Sequence, residues 1–370
     1  MVDRDQLRRD ILRFIGREVY PAAERGTFEA LALRAFAYQY ACNEPYRRYC
    51  EGRDASPETV TRLEAVPAVP TAAFKAAALV CGDPGSAEAA FRTSGTSRGA
   101  ERRGVHYVRD LTLYRAAALP NFRVHLLPEG LPMRMLALTP PPRIAPDSSL
   151  SWMVELVRRE LGAPSSEYYV DEEGLRAEAL LEALEAAAAE GEPVFLLGTV
   201  AALAHLLELM GTRSRRLRLA SGSRIMETGG FKRRGGAMPR PEFYAGLVDA
   251  LAISPLYIVG EYGMTEMCSQ FYDNTLRDRA HGHAPTLRYK VVPPWVRTIV
   301  VDPETLEPVE AGRLGVLRHY DLANLDSVMA IQTDDLGVEG GGGFEILGRA
   351  TGAEQRGCSI AMDEWLTAQR

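Results

Sequence analysis

The chain is 370 residues long, 46% hydrophobic and 25% charged, with a formal net charge of −6. This is the composition of a folded globular protein. The acidic balance leaves no broad basic field for nucleic acid, and no apolar run is long enough to span a bilayer. The five cysteines are odd in number and scattered, with no C-x-x-C pair. That pattern implies a reducing, cytoplasmic setting rather than a disulfide framework, with Cys42, Cys50, Cys81 and Cys268 as small buried or neutral residues.

Taken in chain order, "MVDRDQLRRDILRFIGREVY" has the spacing of an amphipathic helix and lacks the apolar core of a signal peptide. "TFEALALRAFAYQYAC" repeats apolar residues at helical period, and "SPETVTRLE" offers an N-cap serine followed by proline, the start of another helix. "VPAVPTAAFKAAALV" breaks at two prolines before a short helix. From Met133 strands and helices alternate. "MRMLALTP", "PVFLLG", "SRIMETGG" and "PLYIVGEYG" read as strands. "SLSWMVELVRREL", "GLRAEALLEALEAAAAEG", "TVAALAHLLELM" and "PEFYAGLVDAL" read as helices. This rhythm predicts a largely parallel sheet packed by helices. After His283 the segments "RYKVVPPWVRTIVV", "GRLGVLRHYDL" and "SVMAIQTDDLG" are short and β-rich, as in a small barrel-like subdomain, and "EGGGGF" reads as a flexible turn. The expected division is an α/β core with an N-terminal helical part over 1–285, a small β subdomain over 286–346, and a C-terminal segment over 347–370.

Three clusters carry chemistry. "RTSGTSRGAERRG" crowds Thr93, Ser94, Gly95, Thr96 and Ser97 into one loop, whose N–H and O–H groups suit phosphate oxygens. It is not the Walker loop, and alone it reads equally as a surface turn. "GEYGMTEMCSQ" follows directly on a predicted strand. Ligands of α/β sheets bind beyond the carboxyl ends of strands; there Tyr262, Gly263, Thr265 and Glu266 present a ring, a backbone approach, a hydroxyl and a carboxylate suited to Mg2+. "IQTDDLG" and "ILGRATG" place Asp335 and Arg349 for a ribose diol or a phosphate. The bland reading of both clusters is solvated loop. "HGH" (His281, His283) lacks a third metal ligand at suitable spacing, His106, His125, His205 and His319 have no motif context, and the arginines at 213–218 read as a solvated turn.

In order, "TSGTS", "YGMTE", "TDD" and "GR" resemble the ANL superfamily of adenylate-forming enzymes, which activate carboxylic acids with ATP. Thr93–Thr96 match its phosphate loop. Ser97 replaces a threonine, Arg98 a glycine and Glu101 the lysine, leaving Arg98, Arg102 or Arg103 to neutralise phosphate charge. The resemblance implies an α-phosphate contact for Thr265, Mg2+ at Glu266, and ribose at Asp335 (with Asp334 in place of the usual glycine). It also implies a hinge at Gly348–Arg349 and an adenine pocket near "ETGGF", including Gly229 and Gly230. Typical members continue into a mobile C-terminal domain; this chain stops, leaving only a truncated C-terminal segment. Together with "NEPYRRYC", "VPTAAFK", "DSSLSWM", "ETGGFKRR" and "GAEQRGCS", that resembles the LuxE-like acyl-protein synthetases. The resemblance implies that Cys358 is the acyl acceptor, with "EGGGG" and Gly357 giving its segment freedom to swing.

The expected function is therefore ATP- and Mg2+-dependent activation of a carboxylic acid, a fatty acid by family, to an acyl-adenylate. Transfer to Cys358 as a thioester would follow, for delivery to a partner such as an acyl reductase. One alternative moves the acceptor to coenzyme A or a carrier-protein thiol. Another, supported by the degenerate phosphate loop, is a non-catalytic nucleotide-binding subunit of a reductase complex. "SSLSWMVEL" and "GTVAALAHLLEL" are the candidate linings of an acid pocket.

Overall fold

The computed structural model describes residues 2–17, 25–93, 103–230, 232–233, 236–237, 239–284, 287–350, 365–367 and 369. The chain forms two compact units. The first comprises Met1–Asn121, Met264–Phe271 and Tyr289–Arg370, and the second Phe122–Gly263 and Tyr272–Arg288.

The first unit begins with the amphipathic helix Arg4–Ile15, capped by Asp3, whose side chain accepts from the N–H groups of Asp5 and Gln6. Leu7, Ile11, Phe14 and Ile15 lie on its buried face. The helix Arg25–Cys42 follows, then Glu44–Glu51, capped by Asn43 with proline in its first turn. The helix expected from "SPETVTRLE" is a single turn: the Val60 N–H reaches the Ser56 carbonyl at 2.9 Å and a 3₁₀ turn, Leu63–Ala65, takes over. Val60, Leu63 and Val66 are the groups buried there, and that requirement outweighs a good local N-cap.

Downstream strands complete this unit with a sheet in the order Lys290–Val291, Gly343–Arg349, Ala330–Gly340, Leu314–Asp321, Val296–Val301. All four neighbour pairs are antiparallel, and Val69–Pro70 adds to Ala330–Gly340 in parallel. Among the described residues the sheet is open rather than closed into a barrel. The glycine turn is tightly fitted, not a hinge. Gly341 and Gly342 have φ of +66° and +90°, conformations that favour glycine. A Cβ on Gly341 would lie 2.7 Å from the Tyr289 ring, and one on Gly343 would fall on the Lys290 carbonyl oxygen.

The cysteine reading is corrected in the same unit. Cys42 and Cys81 form a disulfide across 39 residues, with α-carbons 4.9 Å apart. Cys42 ends its helix. Cys81 is drawn alongside because its N–H donates to the Asp326 carbonyl at 2.8 Å and Ser327 Oγ donates to the Leu79 carbonyl at 2.7 Å. Cysteine spacing is therefore no guide to compartment here. Cys50 and Cys268 are buried thiols.

The second unit bears out the alternating pattern. Strands Glu167–Tyr168, Arg134–Leu138, Val194–Thr199, Arg224–Thr228 and Ile258–Tyr262 lie in that order, each parallel to its neighbour. Helices Ala177–Glu190, Val200–Thr212 and Arg240–Leu251 bury Leu184, Leu203, Leu206 and Leu247 against the sheet residues Leu136, Leu196 and Ile225. The apolar face of Val200–Thr212, proposed from sequence as pocket lining, belongs to this core. The exposed arginines Arg213 and Arg216 pair with Glu178 and Asp249, as expected of a solvated turn. No helix among the described residues is long and apolar enough to cross a membrane.

Candidate active site

In the first unit the segment Met264–Phe271 carries Thr265 and Glu266 and is held by buried polar groups. Asp321 lies fully buried; its carboxylate accepts from the N–H groups of Cys268, Ser269 and Ala323 at 3.2, 2.9 and 2.9 Å, and from Ser269 Oγ at 2.8 Å. Burial pushes its pKa up to about 6, against those hydrogen bonds. Trp295 Nε1 donates to Ser269 Oγ at 3.0 Å. Asn324 uses both ends of its amide: Nδ2 donates to the Glu266 carbonyl at 2.8 Å, and Oδ1 accepts from the Cys268 N–H at 2.7 Å.

The Glu266 side chain is almost wholly buried. Burial raises its pKa to about 7; Asp335 adds to the rise, while Arg349 and Lys75 oppose it. Asp335 and Arg349 are cross-strand partners, and Arg349 Nε donates to Asp335 Oδ1 at 2.8 Å. The Asp335 N–H donates to Thr333 Oγ1 at 3.1 Å. Three residues from three motifs thus share one electrostatic neighbourhood: Glu266, Asp335 and Arg349.

The phosphate-loop motif sits on the antiparallel hairpin of Ala89–Arg92 and Val105–Val108. At its neck the Thr93 N–H donates to the Gly104 carbonyl at 2.9 Å, and the Gly104 N–H donates to Thr93 Oγ1 at 3.0 Å. Space at Gly104 is tight: an added Cβ would lie 3.1–3.3 Å from Thr93 and Phe74. Ser94, Gly95, Thr96 and Ser97 lie outside the described residues, as does Cys358. The sequence reading missed His106. It lies on the second hairpin strand, 1% exposed, with Nδ1 2.8 Å from the Thr265 carbonyl.

In the second unit the remaining motif residues stand at the carboxyl ends of paired parallel strands. Gly229, at φ +88°, and Gly230 follow Arg224–Thr228, and Tyr262 ends the neighbouring strand with Gly263 just beyond it. The strands are in register at Gly260 and Glu227. Beneath them lies a charge network centred on Asp273, a residue outside every motif. Asp273, 1% exposed, accepts from Arg240 Nη2 at 2.6 Å, Arg288 Nη1 at 2.8 Å and the Gly260 N–H at 2.7 Å. Buried Glu227 accepts from Tyr244 Oη at 2.8 Å, and Thr228 Oγ1 bonds Glu261. Such pairing offsets the cost of burying several charges and fixes the strand ends. His281 spends Nδ1 on the carbonyl of Arg277 in its own helix at 2.9 Å. Among the described residues no cluster of three His, Cys, Asp or Glu side chains is placed to hold a metal ion.

The parallel sheet packed by helices has the fold of solved acyl-CoA ligases. The chain is similar to 2-hydroxyisobutyryl-CoA ligase in complex with 2-HIB-AMP and CoA in the thioesterification state. The TM-score is 0.60 at 18% identity, over 87% of this chain and 65% of that one. To an open conformation of the same ligase it gives 0.57 at 15% identity, over 86% and 66%. The chain therefore spans about two thirds of the length of those structures.

The model of the acyl-protein synthetase family, LuxE, matches residues 21–367, and the chain belongs to that family. It is 27% identical over 353 residues to the long-chain-fatty-acid–luciferin-component ligase of Vibrio harveyi, covering 92% of this chain and 88% of that protein. To the ligase of the same name from Aliivibrio fischeri it is 26% identical, covering 90% and 87%.

Proposed function

We propose that this protein activates a carboxylic acid with ATP as an acyl-adenylate and then takes the acyl group onto its own Cys358. The observation that carries the reading is the buried Glu266 carboxyl in the common field of Asp335, Arg349 and Lys75. The fatty-acid ligases among its relatives support a fatty acid as substrate. Thr93 to Ser97 and Thr265 hold phosphate oxygens, Asp335 and Arg349 the ribose, and Gly229, Gly230, Tyr262 and Gly263 the base. The acid's carboxylate oxygen attacks the α-phosphorus, the bond to the bridging oxygen breaks, and pyrophosphate leaves. Backbone and hydroxyl donors aimed at the phosphate stabilise the charge that develops.

The donor set suits Mg2+, which keeps several waters and takes one or two carboxylates together with substrate phosphates; Glu266 is that carboxylate. Bound there, the ion would neutralise phosphate charge, and it would hold Glu266 ionised against the effect of burial. In the second half-reaction the Cys358 thiolate attacks the acyl carbonyl carbon, AMP leaves, and a thioester forms. The thioester keeps the acyl group activated for an acyl reductase or another acceptor, in the cytoplasm, where ATP is supplied.

The test is intact-protein mass spectrometry after incubation with ATP, Mg2+ and a panel of fatty and aromatic acids. The expected result is one hydroxylamine-labile acyl mass on the Cys358 peptide. It should be absent in Cys358→Ser, while acid-dependent ATP–pyrophosphate exchange persists. Thioester formation on coenzyme A or a carrier protein by Cys358→Ser would move the acceptor elsewhere. Nucleotide binding without exchange on any acid would reduce the protein to a nucleotide-binding subunit.

A further inference from the structure

The Thr265–Glu266 peptide group is clamped by a side chain that no motif contains. His106 Nδ1 lies 2.8 Å from the Thr265 carbonyl oxygen, 159 residues away in sequence. A carbonyl can only accept, so the proton must be on Nδ1. The ring is 1% exposed and meets the Phe74 ring edge-on at 5.8 Å and 85°. Burial pushes the imidazole pKa down to about 4, so it is neutral through the physiological range and the Nδ1–H tautomer is constant.

The bond joins two functional segments. His106 follows Gly104 by two residues, and Gly104 closes the neck of the Thr93–Ser97 loop through its two hydrogen bonds with Thr93. The Thr265 carbonyl belongs to the peptide plane that leads into Glu266. The next plane is fixed by Asn324 Nδ2 on the Glu266 carbonyl at 2.8 Å. With both flanking planes held, the direction in which Glu266 leaves the backbone is set.

We propose that His106 is a positioning residue for acid activation: its Nδ1–H fixes the Thr265–Glu266 peptide and ties it to the neck of the phosphate loop. This rests on the reading of Glu266 and the loop as the ATP-handling groups. His106 takes no proton from substrate and touches no reacting atom. Its effect is orientation, where small displacements of a catalytic group lower the rate strongly.

Asparagine and glutamine separate donor position from bulk. The asparagine amide nitrogen stands as many bonds from Cβ as histidine Nδ1, whereas that of glutamine stands as far as Nε2. Phenylalanine keeps the ring packing on Phe74 without a donor. The assay is ATP–pyrophosphate exchange with a fatty-acid panel, with thermal melting beside it. His106→Phe and His106→Gln are expected to lose roughly 10–100-fold in exchange kcat while still melting cooperatively, a few degrees below the wild type because the Thr265 carbonyl loses its donor. His106→Asn is expected to stay within about threefold. The 15N signal of His106 Nδ1 should remain that of a protonated nitrogen from pH 5 to pH 8. Wild-type kcat in His106→Phe, or equal losses in the Asn and Gln variants, overturns the proposal. If His106→Phe does not fold, the Asn-against-Gln comparison decides. Absence of exchange in the wild-type protein would instead sink the reading of the site.

Discussion

Glu266→Gln should make the ligand-free protein more stable at alkaline pH while abolishing acid activation. The Glu266 pKa rises from its ordinary value of 4.5 to about 7 in the folded protein, mainly through burial. The folded state therefore holds this proton more tightly than the unfolded chain. Below pH 4.5 both states are protonated and nothing is lost. Between pH 4.5 and 7 unfolding releases a proton, so stability falls as pH rises; above pH 7 the whole cost is present. At about 1.36 kcal/mol per pH unit, the difference amounts to about 3 kcal/mol at pH 8. Glutamine fills the same space without the charge. Subtracting the variant's effect at pH 4 from that at pH 8 removes whatever the amide changes by itself. The assay is thermal melting in EDTA. For a unit of this size about 3 kcal/mol corresponds to roughly 6–12 °C, gained by Glu266→Gln at pH 8 and absent at pH 4. Mg2+ and ATP should raise the melting temperature of the wild type more than that of the variant, since only the wild type gains a cation for its buried carboxylate. Equal melting differences at both pH values would refute the argument from burial.

Other expectations follow from the same geometry. Asp321→Ala leaves the N–H groups of Ser269 and Ala323 without their acceptor; at about 1–3 kcal/mol for each unsatisfied buried group, a melting temperature within a degree of the wild type would contradict it. Non-reducing peptide mapping should recover Cys42 linked to Cys81. Closing a loop of this size contributes about 4 kcal/mol, so Cys42→Ser should lower the melting temperature measurably; recovery of both cysteines as free thiols would remove the premise. Gly343→Ala sets a methyl group against the Lys290 carbonyl oxygen, forcing the strand Lys290–Val291 away from Gly343–Arg349. Loss of at least about 1–3 kcal/mol in chemical unfolding is expected, and an unchanged midpoint would show that the turn yields.

The parallel sheet of the second unit was legible because its strands are short apolar runs alternating with helices of regular period. Burial of both sheet faces makes each strand an apolar run, and burial of one face gives each helix its period. The motifs at Thr93, Thr265, Asp335 and Arg349 were legible as small, hydroxylic, acidic and basic residue types in order, which need no knowledge of their surroundings to be read. Three features were not. The Cys42–Cys81 bond joins a helix end to a loop that a distant acidic segment draws alongside. The "EGGGG" run, flexible in composition, is a fitted turn because Tyr289 and Lys290 crowd it. His106 and Asp273 carry no local signature, since each acts through partners on other elements. Local sequence determined which elements form and which chemical groups they offer. Tertiary structure decided which groups are dry, paired and aimed, because desolvation and hydrogen bonding depend on neighbours brought from far along the chain.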